Sequence, residues 1–217
     1  MIEVALFPIP DVVAFPGVPV PLHVFEPRYR QLVQDCVNDA RLLGVCHTQK
    51  TIHKPATSSL NPPSIEKVLS TNQATYKPHP VFSAGPCEIL ETLPDGRLLA
   101  NVDMNQRLSL IEERQSLPYR IVGCEPLPDE RPEHDERADN MALQARIHTR
   151  LIELISPENP ELAEQLQSSD WQDLSAEDYS HRIFGCLRFE ADIMQQILES
   201  TSANTRLAAI SHLLERA

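Results

Sequence analysis

Through the first 125 residues, apolar side chains come in short runs, often at alternate positions, many of them cut by Pro, Gly or Asp. That rhythm predicts strands. Residues 2–7 (IEVALF) make an apolar strand closed by Pro8 and Pro10, and 11–15 (DVVAF) a second β-branched run ended by the turn dipeptide Pro16-Gly17. Residues 18–25 (VPVPLHVF) alternate Pro with apolar residues, which confines them to an edge strand or extended arm, because proline cannot donate to a ladder. Strand patterns return at 42–47, 81–91, 97–102, 107–112 and 119–125, with Pro94-Asp95-Gly96 as a hairpin turn.

Helical spacing appears once inside this stretch. Pro27 suits a first helical position, Glu26 would lie beside the positive end of the helix dipole, and Tyr29, Leu32 or Val33, Cys36 and Ala40 share one face. After the acidic stretch 126–137 the period becomes helical throughout. Met141, Ala145, His148, Ile152 and Ile155 align on a helix over 138–155, and 160–167 form a short one. Ser175 with Asp178 reads as a cap opening a helix across Tyr179, Ile183 and Leu187, and 191–199 and 205–216 complete the set. The pattern predicts an α+β protein: a β-rich part over 1–128 with one helix, then a helical part over 129–217.

Residues 48–80 break the rhythm. They hold all the lysines (Lys50, Lys54, Lys67, Lys77), many Ser, Thr and Asn, and five prolines, with a short helical patch at 65–69. So little apolar content predicts a long mobile loop.

Composition removes several functions. The formal net charge is −12, with −8 of it in residues 131–217, so the field repels nucleic acid and anionic lipid. The six glycines (17, 44, 85, 96, 123, 185) include no pair five apart or two apart, which excludes GxxxxGK[ST] and GxGxxG phosphate loops. Five cysteines form no CxxC, and eight histidines show no HxxxH or HExxH; His47 and His53 beside Cys46 read as packing or surface groups. The expectation is no metal and no cofactor. No basic-then-apolar leader and no apolar run near about 18 residues occurs, so the expected location is cytoplasmic and off the membrane.

The string LFPIPDVVAFPGVPVPLHVFEPRYRQLVQDC (6–36) resembles the opening of the substrate-binding domain of Lon-type proteases, especially its stand-alone bacterial members. Phe15-Pro16-Gly17, Pro21-Leu22 and Phe25-Glu26-Pro27-Arg28-Tyr29 match the pattern in order, and GPCEILETLPDGRL (85–98), Pro118-Tyr119-Arg120 and Arg206-Leu207 continue it. The resemblance implies a PUA-like β pseudo-barrel followed by a helical bundle, without the motor and protease modules. It also implies a non-catalytic module for unfolded or partner protein segments, with a full-length protease in trans as a further candidate partner. The residues expected to bind are Phe15, Pro16, Val20, Leu22, Phe25, Glu26, Arg28, Tyr29 and Arg30, around an ion-paired junction of strand and helix. One departure stands at 103–107 (DMNQR), where the family carries a glycine; a left-handed Asn105 would make that turn. Ser83-Ala84-Gly85 coincides with three letters around the Lon serine nucleophile, but the rest of that signature is missing, so no catalytic residue is implied. The alternatives are an autonomous hydrolase using Ser83 or a Cys–His pair, and small-ligand or RNA binding through a PUA-like fold.

Overall fold

The computed structural model describes residues 1–53 and 75–216; the helical patch at 65–69 and the centre of the expected loop lie outside them. Two compact units result, one holding 1–127 with 189–195, the other 128–188 with 196–217. A single cut near residue 128 would separate 189–195 from the unit they belong to. Among the described residues no helix is long and apolar enough to cross a membrane.

The first unit runs β1 (Ile2–Pro8), β2 (Pro19–Val24), α1 (Pro27–Asn38), β3 (Leu42–Cys46), β4 (Thr48–His53) and β5 (Thr75–Pro78). It continues with β6 (Val81–Gly85), β7 (Cys87–Thr92), β8 (Leu98–Asp103), β9 (Gln106–Gln115) and β10 (Arg120–Pro126). Strands β1-β10-β9-β6-β3 close into a barrel, antiparallel except where β1 runs parallel to β3. From Val4 to Leu6 strand β1 is buried on both faces, which is why that stretch is continuously apolar. Val4 and Leu6 join Phe82, Leu108 and Val122 in one core, while Ala5 joins Leu43, Val45 and the Leu32, Val33 and Cys36 face of α1 in the other. A second sheet has the order β2-β8-β7, with β2 at an edge as its prolines require.

Several expectations are corrected here. Residues 11–15 form no strand: flanked by Pro10 and Pro16, they turn through a left-handed Asp11 (φ 59°), whose amide donates to His47 Nδ1 at 3.0 Å. The run 81–91 is two strands in two sheets, broken at Pro86. Gly85 is required there by close approach, because a Cβ on it would lie 1.7 Å from the Asp103 carbonyl oxygen. Asn105 is not left-handed; its amide bonds the Ala84 carbonyl at 3.1 Å, and the Gly17 amide bonds the Met104 carbonyl at 2.7 Å. Helix α1 stops at Asn38, leaving Ala40 exposed and left-handed (φ 51°) as a C-terminal stop. The ends of the expected 48–80 loop are paired, β4 against β5, since Thr48, Thr51 and Ile52 are good strand formers despite their polar neighbourhood.

The second unit runs α2 (His134–Ile155), α3 (Pro160–Leu166), α4 (Ser169–Gln172), α5 (Ala176–Arg182), a 3₁₀ turn (Ile183–Gly185) and α7 (Ala203–Leu214). Between them α6 (Ala191–Glu199) spans the 195/196 boundary of the two units. Ser175 accepts the Asp178 amide as the sequence predicts, although α5 ends at Arg182, short of Leu187. The buried face of α2 is Asn140, Ile147 and Leu151, packed on α7, and not the line through Met141, which is 73% exposed. Both lines have helical spacing; only contact with α7 decides between them. Among the described residues, the largest fully buried side chain of this unit is Arg206, 0% exposed. Its guanidinium grips Asp129 through both terminal nitrogens (2.7 and 2.5 Å), and also donates to Ser180 Oγ and the Ser200 carbonyl.

Candidate functional site

The end of β1, the edge strand β2 and the start of α1 enclose a groove of about 330 Å³. Its walls are Phe7 to Pro10 on one side, and Pro21 to Glu26 with Arg28 and Tyr29 on the other. Tyr29 organises it. Phe7 stacks on its ring (4.2 Å between centroids, 23° between planes), and the Arg28 guanidinium lies 4.5 Å from its centroid. Glu26 holds Arg28 through Nε and Nη2 at 3.0 and 2.9 Å, so the ion pair expected at the junction forms within the turn that opens α1. Burial pushes the Tyr29 phenol up to about 12, and it stays neutral at physiological pH; nearby Arg28 pulls the other way. The result is an apolar, aromatic trough with a fixed charged pair at one end, a surface suited to an apolar side chain on an extended segment.

Of the nine residues expected to bind, Leu22, Phe25, Glu26, Arg28 and Tyr29 line this groove. Phe15 is 1% exposed, a core side chain. Pro16 is half-buried beside the 16–17 turn, and Val20 packs against the core of the first unit. Arg30 donates to the Gly96 carbonyl at 3.0 Å, tying α1 to the hairpin turn. Phe7, Pro8, Ile9 and Pro10 also line it, although in the sequence Pro8 and Pro10 read only as strand terminators.

Ser83 is no nucleophile in this geometry. It is fully buried, and its hydroxyl donates to the Ala14 carbonyl at 2.7 Å. The cysteines are free, and burial raises the thiols, Cys36 to about 12 and Cys124 to about 11, away from the reactive thiolate.

One cluster has metal-ligand residue types: His47, His79 and Asp192 bring one donor atom each within 4.8 Å of one another. His79 and Asp192 escape sequence reasoning because they are far from His47 in the chain; the His53 side chain lies outside the described residues. His47 Nδ1 accepts the Asp11 amide, so in the neutral ring the proton sits on Nε2, which faces Asp192 Oδ1 at 3.4 Å. A metal-ligating histidine instead donates from its second nitrogen, leaving the first a lone pair. The cluster therefore fits a hydrogen-bonded, stacked pair (His47 and His79 rings 5.1 Å apart) better than a metal centre.

A larger hollow of about 420 Å³ lies in the second unit between α2 and the Trp171 region, lined among others by Met141, Ala145, His148 and Tyr179. It explains the misread face of α2, whose Met141–Ala145–His148 line borders open space. Burial holds His148 below the usual imidazole range, and no charged side chain lines the hollow.

The sequence model for the substrate-binding domain of ATP-dependent protease La (LON) matches residues 3–216. Lon protease 1 of Herpetosiphon aurantiacus is 24% identical over 214 residues, covering 99% of this chain and 24% of its own length. The chain thus spans about a quarter of that relative. Among solved structures, the N-terminal domain of Mycobacterium avium complex Lon protease is similar at 13% identity with a TM-score of 0.69, covering 98% of each chain. A Lon N-terminal domain protein from Xanthomonas campestris is similar at 19% identity with a TM-score of 0.58, covering 99% of this chain and 98% of that one. These two likenesses show a shared fold, the barrel followed by helices. Because the family match covers nearly every residue, the chain belongs to the Lon substrate-binding domain family.

Proposed function

We propose that this chain is a non-catalytic module that holds extended segments of unfolded or partner protein in the groove between the end of β1, β2 and the start of α1. The observation that carries the reading is the groove itself: an aromatic and proline-lined trough, preformed around Tyr29, on the unit that carries the family's signature residues. Prolines lining its walls are rigid and lack an N–H, so an apolar segment can dock with little ordering cost and few unsatisfied donors. Neither nucleotide nor metal enters the account. A Lon-type protease acting in trans is a candidate recipient of what the module holds, in keeping with the family to which the chain belongs.

Replacing Phe25 by Ala tests the placement. Phe25 lines the groove without belonging to the core of the first unit. Fluorescence anisotropy with a labelled unfolded protein should show binding weakened by about tenfold or more, the loss typical of a central aromatic anchor. Leu90→Ala, at a 63% exposed position on β7, should bind as the parent does. Equal binding by the Phe25 variant and the parent would move the site elsewhere.

A further inference from the structure

The Phe7–Pro10 wall of the groove runs directly into Asp11, and Pro10 has no N–H, so the Asp11 amide is the one backbone donor between Ile9 and Val12. That donor goes to a side chain: His47 Nδ1 accepts it at 3.0 Å. Ile9 in turn donates to the Cys46 carbonyl at 2.9 Å. The wall thus hangs on two adjacent residues at the end of β3, Cys46 through its backbone and His47 through its ring. Asp11 is left-handed (φ 59°), a conformation that residues other than glycine adopt uncommonly, and the bond to His47 fixes it there.

His47 is buried, 5% exposed, and titratable residues stand against it from three elements. Asp11 comes from the turn after β1, His79 from the connection between β5 and β6 with its ring stacked on that of His47, and Asp192 from α6. On its own strand, burial keeps the Cys46 thiol protonated, and Pro8, which faces Cys46 from β1, has nothing to titrate. In the neutral ring Nδ1 accepts the Asp11 amide and Nε2–H points at Asp192. A second proton can go only to Nδ1, and both ring nitrogens are then donors. The Asp192 carboxylate still suits Nε2–H, so it helps the ring to hold the added proton. At Nδ1 the new N–H would confront the Asp11 N–H, donor against donor across 3.0 Å. The bond must break, and the end of the wall loses its tie to the ring.

We propose that His47 is a pH-sensitive latch on the groove: neutral, it holds the Phe7–Pro10 wall through the Asp11 amide, and protonated, it releases that wall and weakens binding. A bound segment favours the neutral ring, so affinity is full above the histidine range and falls as the pH drops through it. The proposal rests on the groove reading above and adds its regulation.

The test titrates the full chain into a rhodamine-labelled apolar peptide with capped ends and no titratable side chain, and reads anisotropy at about pH 7.5 and about pH 5.5. The parent should bind about fivefold to tenfold less tightly at the lower pH, the loss expected for one broken hydrogen bond. His47→Asn, whose Oδ1 takes the place of Nδ1 as acceptor and does not titrate, should bind equally at both. If that variant weakens with acid as much as the parent does, the dependence belongs to another group, such as His23 on the groove itself, and the latch is overturned. Should His47→Asn fail to fold, proton–nitrogen NMR of the parent decides. The Asp11 amide resonance should move with the titration of the His47 ring, and an amide that stays in place would overturn the proposal. Binding by the parent that does not change with pH would overturn the latch and leave the groove standing. No binding at either pH would overturn groove and latch together.

Discussion

Gly85→Ala is expected to cost about 4 kcal/mol of folding stability or to prevent folding, an effect at the high end for a single methyl group. The added Cβ would lie 1.7 Å from the carbonyl oxygen of Asp103 and 2.6 Å from its carbonyl carbon, so backbone, not a flexible side chain, would have to move. That backbone is tied on both sides: the Asp103 amide bonds the Pro86 carbonyl at 3.0 Å, and the Asn105 amide bonds the Ala84 carbonyl at 3.1 Å. Moving it breaks the crossing where the chain leaves the barrel for the second sheet. Gly123→Ala is the contrasting case. There a Cβ meets the Met1 sulfur at 2.7 Å and the side chains of Arg114 and Glu112 at 3.2 Å, all atoms of flexible side chains and none of backbone. Urea denaturation of both variants checks this. A Gly85→Ala midpoint close to the parent's would show that the close approach is not needed.

The second large effect lies at Asp129. Replacing it with Ala leaves the Arg206 guanidinium, which is 0% exposed, with Ser180 Oγ and the Ser200 carbonyl as acceptors but without the carboxylate it now grips. Removing one member of such a buried pair costs about 3–5 kcal/mol, because the remaining charge has lost its partner and cannot reach water. Arg206→Met alone should be milder, since the Asp129 side chain is 15% exposed and can rehydrate. The double variant Asp129→Ala with Arg206→Met should recover much of the loss, and a double-mutant cycle from urea unfolding measures the coupling. Additive losses would mean that the pair does not act as a unit.

The sequence makes the β-then-α order and most element positions legible, because most strands have a Pro, Gly or Asp at one end or close by and the helical half changes period. What escapes it is non-local. The break at Pro86 depends on Gly85 meeting Asp103, eighteen positions away by residue number. The buried face of α2 depends on which of two equally periodic lines meets α7. The pairing of β4 with β5 is hidden by a polar, lysine-rich composition that reads as loop.

The site is legible in part for a related reason. Residues 22–29 stand out as a motif, and five of the nine expected residues share one groove. Phe15 belongs to the same motif yet packs inside, so a motif marks positions important for fold and for binding without separating them. The opposite wall, Phe7 to Pro10, reads as the end of a strand, and its role depends on where α1 places Tyr29.

The most direct test of the central claim is a fluorescence-anisotropy titration of a labelled, permanently unfolded protein with this chain, followed by a gel of the same sample. The expected result is saturable binding that leaves the labelled protein at full length. No binding at any concentration would contradict a module that holds unfolded segments, and cleavage of the label into fragments would contradict its being non-catalytic.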